Sequence, residues 1–535
     1  MTTVDRGSTY STHEVTNQSK PLLGYNVFDA DRALAEALER EGGGWGLDRV
    51  RDLGAVAGSE EADEHSRRCE RNEPRLLTHD RFGNRIDQID LDPSWHWILR
   101  LGVEREVPSL PWREERAGAH VVRAALMFVF SQINAGVSCP VSMTYSGVPA
   151  LRAEPELAAE WEPLLTLPDY ERGALCGMAM TEKQGGSDVR ANTTRAEPAG
   201  DGWWEITGHK WFCSYPPCDV FLVLAQTQSG VSCFLVEGPG PEQPGFRIQR
   251  LKDKLGTRSL PSSEVEFHSV PARLVGEEGR GVRTIIEMVN HTRLDCLIGS
   301  AAGMRRGVAE AVNHTRQRSA FGKPLAEQPA MMNVLADLHI ESEAATAVAM
   351  RIARAYDEKD RPFKRFATAV EKYWVCKRAA PHANEALECF GGNGYVEEAP
   401  MARLYRDAPL NSIWEGSGNV AALDVLRAFS KEPEGLQAFL AECELARGAD
   451  PRLDTHLDSL PKRLEGLGDG DPQWQARALV EDLGVALQAS LLVRNAPSAV
   501  ADAFCAGRLG DGGRAFGTLP AGVDAKALVD RALAI

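Results

Sequence analysis

Apolar positions recur at three- and four-residue spacing over both ends of the chain and gather into short runs between turn residues in its middle. Near the start, Asp29–Arg40 reads as a helix. Asp29 or Asp31 is placed to cap it, and Gly42 to Gly44 end it in a turn. A turn at Gly83-Asn84 precedes an aromatic cluster, Trp95, His96 and Trp97, where His96 reads as a packing or capping residue. From Glu114 to Ala135 the pattern is that of a long buried helix, and a second helix is expected near 152–166. The texture changes at Gly177. Arg195–Ser214 predicts a hairpin turning at Asp201-Gly202, and Val220–Gln226, Val231–Val236, Phe246–Gln249 and Glu264–Phe267 bring the set to five or six strands. After Gly281 the helical period returns in Ile285–Arg306, Val308–Arg316, Asn333–Tyr356, Phe363–Phe390 and Val420–Phe429.

The order helices, strands, helices predicts an α+β chain in four parts: an N-terminal extension and α-domain over 1–177, a β-domain over 178–280, a helical bundle over 281–430, and a separate piece of short helices over 431–535, broken by Pro472, Pro497 and Gly510 to Gly513. Residues 1–24, rich in Ser, Thr and Asn, are expected to form a mobile arm.

Composition narrows the function classes. The chain of 535 residues is 43% hydrophobic and 25% charged, as globular proteins are. Its net charge of -16 gives no global attraction to nucleic acid. The region 431–535 holds 11 Lys and Arg against 16 Asp and Glu, which disfavours DNA binding there. Eleven cysteines without C-x-x-C spacing exclude a zinc signature and point to free thiols in a reducing compartment, so no metal is expected. Met1–Ser19 carries no apolar signal core, and the longest strongly apolar stretch, near 124–130, is far short of a bilayer span. A cytoplasmic protein with no membrane partner is expected.

Five stretches carry candidate chemistry. Asn411-Ser412-Ile413-Trp414-Glu415-Gly416-Ser417-Gly418-Asn419 sets one carboxylate between an aromatic and a small-residue turn. Desolvation there would raise the carboxyl pKa and suit a general base, and a loop ending in an N-cap accounts for the same residues. Met178 to Asp188 (MAMTEKQGGSD) offers the hydroxyls of Thr181 and Ser187 beside Gly185-Gly186, an arrangement suited to pyrophosphate as well as to a plain turn. Lys210 to Ser214 (KWFCS) puts an aromatic and a hydroxyl at a strand end, where a planar ring can stack. Arg316-Gln317-Arg318-Ser319-Ala320-Phe321-Gly322 pairs two arginines beside a turn, a phosphate clamp or a solvated helix end. Phe390 to Tyr395 (FGGNGY) is a Gly-rich helix exit that a C-cap explains.

The order of these stretches is more specific than any one of them. MAMTEKQGGSDV, GHKWFCS, QRSAFGKPLAEQ, CFGGNGY and IWEGSGN resemble the ordered signatures of the acyl-CoA dehydrogenase family of flavoproteins, across about 115 to 430. The flanks GYNVFDADRALAEALEREGGGW, NEPRLLTHDRFGNRIDQIDLDPSWH and SCPVSMTY, with the C-terminal extension, resemble its AidB-type, adaptive-response subfamily. The resemblance implies an α-domain, a β-domain and a helical bundle, a homotetramer built as a dimer of dimers, and FAD. It implies flavin contacts from Met178, Met180, Thr181, Gly186 and Ser187, ring packing by Phe212, and a hydrogen bond from Ser214 to flavin N5. It also implies contacts from Arg318 and Phe321 to the partner subunit's FAD, from Gly392 to the adenosine half, and from Ile413, Trp414, Gly416, Ser417 and Asn419 framing the cofactor. Glu415 matches the catalytic base, and Arg293 matches an arginine that supports it. The implied activity is dehydrogenation of an acyl-CoA or similarly activated acyl group, with the electron acceptor open. The alternatives are a DNA-associated flavoprotein of the alkylation response, or an oxidase or desaturase of a specialised substrate on the same fold.

Overall fold

The computed structural model describes residues 12–240, 243–358, 360–468 and 470–535. Of the N-terminal arm, residues 1–11 lie outside the described residues. The following residues are tied down. Asn17 exchanges two hydrogen bonds with Ser319, Ser19 bonds His314 at 2.7 Å, and the backbone at Lys20 bonds Gln317 and Asn313. The expectation of a mobile arm therefore does not hold for Asn17 to Lys20.

The N-terminal region contains α1 (Arg32–Leu38), α2 (Leu47–Ala57), α3 (Glu60–Arg71), the strands β1 (Arg75–His79) and β2 (Arg85–Asp90), α4 (Pro93–Glu104), the single turn α5 (Leu110–Arg113), α6 (Ala119–Ser131), α7 (Ser138–Leu151) and α8 (Pro155–Leu165). Asp31 caps α1, its carboxylate accepting from the Leu34 N–H at 3.1 Å. The hairpin β1–β2 was foreshadowed only by the turn at Gly83-Asn84. Its Asp87 and Arg85 fasten it to the backbone of Ile248 in the β-domain. The helix α7 escaped the periodicity because nearly all its residues are buried, so it has no polar face. His96 bonds the Tyr170 hydroxyl at 2.7 Å, a packing role as expected.

The β-domain holds seven strands: β3 (Cys176–Ala179), β4 (Arg195–Gly200), β5 (Trp203–Ser214), β6 (Val220–Thr227), β7 (Gly230–Glu237), β8 (Phe246–Leu251) and β9 (Ser262–Leu274). β6, β4, β5, β9 and β7 pair in that order and β7 pairs back onto β6, so the sheet closes on itself. β3 joins β6 in parallel and β8 joins β9. Closure leaves few free edges. It also buries β6 on both faces, from Val220 to Ala225.

The bundle is built on α9 (Gly281–Gln317), a single helix of 37 residues where the pattern predicts two. Gly303 and Gly307 do not interrupt it, because α9 packs along α10 and α11, and tertiary contact outweighs the ~1 kcal/mol helix penalty of a glycine. A short hairpin, β10 (Ser319–Ala320) and β11 (Lys323–Pro324), leads into α10 (Pro329–Asp357) and α11 (Arg361–Glu388), then α12 (Met401–Asp407) and α13 (Gly418–Lys431). The remainder folds into α14 (Pro433–Glu444), α15 (Pro451–Glu465), α16 (Pro472–Asn495), α17 (Ser498–Arg508) and α18 (Ala525–Ala532). It is not a separate piece. The 24-residue α16 packs on α10, α11 and α13, and α18 lies on α10. Apolar side chains of all these regions form one continuous buried core. All eleven cysteines are free and buried. Among the described residues no helix is long and apolar enough to cross a membrane.

Candidate active site

Glu415 sits in the connection between α12 and α13, on backbone that bends the wrong way for an ordinary residue. Its φ is +58° and that of Gly416 is +101°. A non-glycine residue in the left-handed region persists only where its surroundings impose it. Here two buried cations do so. Arg293 on α9 donates from Nε to the carbonyl of Glu415 at 3.0 Å. Lys372 on α11 donates to the carbonyls of Trp414 at 2.8 Å and of Gly416 at 2.5 Å. Arg293 is held in turn by Asp424 at 2.6 Å, a carboxylate it shares with Arg365. Trp414 donates from its indole to Asn411 at 2.9 Å, bracing the loop from the other side.

The carboxylate that this loop presents is shielded. Its Oε2 is buried without a hydrogen-bond partner. Burial pushes the Glu415 carboxyl above the ordinary range, opposed by the Thr292 hydroxyl, Arg293 and Lys372. Arg293, expected to support Glu415, thus grips the Glu415 backbone and the Asp424 carboxylate. It acts by positioning.

The hydroxyl of Ser214, at the end of β5, lies 3.5 Å from that of Ser262 and near the thiol of Cys139 in the first turn of α7. Cys139 is within electrostatic reach of Glu415. The end of β5 and the Glu415 loop therefore lie near one another, with the start of α7 between them. Phe212 is half exposed, and Ile413 is exposed on the Glu415 loop.

The residues 181–187 meet β5 directly, since Trp211 donates its N–H to the carbonyl of Thr181 at 2.8 Å. Thr181 fills the space where Gly186 lacks a side chain: a Cβ on Gly186 would lie 2.4 Å from Thr181 Oγ1. Met178 and Met180 are half-buried and Ser187 is exposed. The turn is anchored from beneath by a pair that sequence reasoning passed over, although both members stand inside its motifs. Glu182 and Lys210 form an ion pair of 2.8 Å with both side chains fully buried. Glu182 also accepts from the N–H groups of Thr193 and Thr194, and Lys210 donates to the carbonyl of Leu224 at 2.7 Å. Burial alone would raise the Glu182 carboxyl, but Lys210 and these donors bring it down to about 2.

The remaining candidates lie nearer the surface, Ser417 and Asn419 just after Glu415 and the others far from it in sequence. Ser417 is the N-cap residue of α13 without a capping side-chain bond, and Asn419 is exposed in its first turn. Gly392 is exposed with open space around it. Phe321, at the tip of the β10–β11 hairpin, is 98% exposed, and Arg318 donates to the backbone of Asn17. The other half of the arginine pair, Arg316, is spent on the carbonyls of Val529 and Leu533, each at 3.0 Å, so it closes the C-terminal helix rather than a phosphate site.

The AidB N-terminal domain family matches residues 17–182, the acyl-CoA dehydrogenase middle domain 177–270, and the acyl-CoA dehydrogenase C-terminal domain 279–429. The chain is 43% identical to AidB of Escherichia coli K12 over 473 residues, 85% of this chain and 87% of that one. The chain belongs to the acyl-CoA dehydrogenase family of flavin-dependent oxidoreductases. Within the family its likeness extends to Caenorhabditis elegans ACDH-11, solved in complex with C11-CoA. That structure shares 28% identity and a TM-score of 0.86, covering 95% of this chain and 96% of that one. The fold is also that of a Bacillus anthracis acyl-CoA dehydrogenase complexed with FAD, at 19% identity and a TM-score of 0.65, covering 77% and 80% of the two chains.

Proposed function

We propose that the protein is an FAD-dependent acyl-CoA dehydrogenase in which Glu415 removes the α-proton of an acyl thioester. The observation that carries the proposal is the buried, partnerless Oε2 of Glu415 on a loop locked by Arg293 and Lys372. A carboxylate whose pKa is raised by burial is poised to accept a proton near neutral pH. The site suits a flavin. Phe212 and Ile413 offer apolar surface for a planar ring, and the Thr181 to Ser187 turn and the start of α13 offer hydroxyls and backbone N–H groups for its phosphates. Thr181, Ser187, Ser214, Ser417 and Asn419 are its proposed polar contacts, with Met178, Met180, Gly186, Trp414 and Gly416 lining it. Bound FAD supplies the acceptor for the hydride that leaves Cβ as the Cα–Cβ double bond forms. The α-proton passes to Glu415, and the Thr292 hydroxyl beside that carboxylate favours its ionised form before the transfer.

The relative solved with C11-CoA supports a thioester substrate. The exposed Phe321 hairpin supports assembly, and we read the protein as a cytoplasmic homotetramer in which Arg318, Phe321 and Gly392 serve a neighbouring subunit's FAD. The DNA-associated alternative finds little support in the C-terminal region: Arg447, Arg452, Arg463, Arg494, Arg508, Lys526 and Arg531 are all in ion pairs with carboxylates.

The test is anaerobic mixing of the holoenzyme with a panel of straight-chain and branched acyl-CoAs, followed at the flavin absorbance. Bleaching by at least one thioester is expected. Glu415→Gln is expected to slow it by ~10²–10⁴-fold, the usual contribution of a general base. A wild-type rate in that variant, or no bleaching by any thioester, overturns the proposal.

A further inference from the structure

Three consecutive carbonyls, those of Trp414, Glu415 and Gly416, are each gripped by a buried cation, and two of the three belong to one residue, Lys372. Lys372 is 1% exposed. Arg293, the other cation, is neutralised by Asp424, and Arg365 shares that carboxylate. Lys372 differs. Among the described residues it has no carboxylate in ion-pair contact, and both its bonds go to neutral carbonyls on either side of Glu415. A buried ammonium without a counter-ion is expensive. Its field reaches the Glu415 carboxylate.

The other groups facing the ammonium do not compensate it. Cys296 on α9 and Cys376 on its own helix are thiols that burial holds protonated. Lys377 on the same helix is a like charge. Arg293 and Asp424 answer each other. Glu371, adjacent in sequence, faces Glu341 and Cys443 on the opposite side of α11.

We propose that Lys372 is a positioning residue for the base, with two linked tasks. Its two hydrogen bonds hold Glu415 in the left-handed turn, and its charge, with no carboxylate in ion-pair contact among the described residues, keeps the Glu415 carboxylate ionised. The inference rests on the reading of Glu415 as the base. Its electrostatic half can be tested without that reading.

The experiment uses the holoenzyme and the variants Lys372→Arg, Lys372→Gln and Lys372→Met. The Glu415 carboxyl stretch is isolated by subtracting infrared spectra of Glu415→Gln and is titrated in the resting protein. In parallel, the anaerobic rate of flavin bleaching by C11-CoA is measured against pH. Gln keeps a donor without the charge, and Met removes both. Both are expected to move the titration midpoint of Glu415 upward by about one pH unit or more, the usual effect of losing a close opposite charge. The rate loss at neutral pH is expected to be about tenfold or more in both and to narrow as pH rises. Lys372→Arg is expected to restore most of the rate and the midpoint. A midpoint unchanged in the Gln and Met variants overturns the proposal. So does a failure of all three variants to retain FAD, which would mark Lys372 as a residue of the fold alone. If Glu415→Gln bleaches at the wild-type rate while the midpoints still shift, the base assignment fails and the electrostatic role of Lys372 stands.

Discussion

Replacing Glu182 with Gln should destabilise the β-domain and loosen FAD through the same missing charge. The substitution leaves the Lys210 ammonium fully buried with the Leu224 carbonyl as its close acceptor. Removing one member of a buried ion pair costs about 3–5 kcal/mol, because the survivor is left uncompensated. A glutamine can still accept from Thr193 or Thr194, which places the expected loss near 3 kcal/mol. The measurement is guanidinium unfolding of the flavin-free protein, followed by the fluorescence of Trp203, Trp204 and Trp211. The double substitution Glu182→Leu with Lys210→Met removes both charges and should return most of the loss, since a buried pair gives little net stability over apolar residues of similar size.

The pH dependence supplies a signature of its own. The Glu182 carboxyl is depressed from 4.5 to about 2 in the folded protein. The unfolded chain therefore binds more protons across that window, and stability falls as pH drops from about 4.5 toward 2. In Glu182→Gln that contribution is absent, so the difference from wild type should shrink on acidification. Because Glu182 anchors the Thr181–Ser187 turn, FAD should bind at least about tenfold more weakly, a change of ~1.4 kcal/mol. A variant within about 0.5 kcal/mol of wild type, with unchanged FAD affinity and the same acid dependence, would refute the reasoning.

Further expectations concern the site and the chain's two ends. The bleaching rate should rise with pH through a midpoint above 4.5, and Thr292→Val should move that midpoint higher by removing a donor that favours the ionised carboxylate; a rate that falls with pH contradicts both. Gly186→Ala would force a Cβ to within 2.4 Å of Thr181 Oγ1, so it should weaken FAD binding measurably, while Gly303→Ala, with open space around it, should not; equal affinities would show that the Thr181–Gly186 contact is idle. Asn17→Ala removes both bonds to Ser319 and should speed amide exchange at Ser319 and its neighbours in the β10–β11 hairpin, read by mass spectrometry. Duplex DNA should show no gel shift with the full chain at low salt, and a shift with a steep salt slope would expose a basic face that the ion pairs hide.

Helical periodicity was enough to place α13, which has one face on the core and one toward water, and α10 and α11 were legible from their length although both are buried all round over much of it. Turn residues and short apolar runs were enough for β4 to β7, whose hairpins turn at Asp201-Gly202 and at Gln228-Ser229. The pattern failed for a short, wholly buried helix and where tertiary contact overrides a local signal. The wholly buried α7 shows no amphipathic stripe, and α9 runs straight through two glycines. The C-terminal helices looked independent because their Pro and Gly breaks are local, whereas the α16 packing that joins them to the bundle is between distant segments.

The same division runs through the site. Five ordered stretches, those at 178–187, 210–214 and 411–419 among them, were sufficient together to name the family and to mark Glu415 as the candidate base, since a carboxylate between an aromatic and a glycine turn is a local arrangement. What the chain order could not convey is what holds that carboxylate. Lys372 and Asp424 lie in unremarkable helical stretches, and Glu182 and Lys210 pair across 28 residues. A charge inside an amphipathic helix looks the same in sequence whether it faces water or a carbonyl in the core. Only the packing of α9, α11 and α13 around one loop turns those side chains inward, where a low-dielectric surrounding makes each charge count.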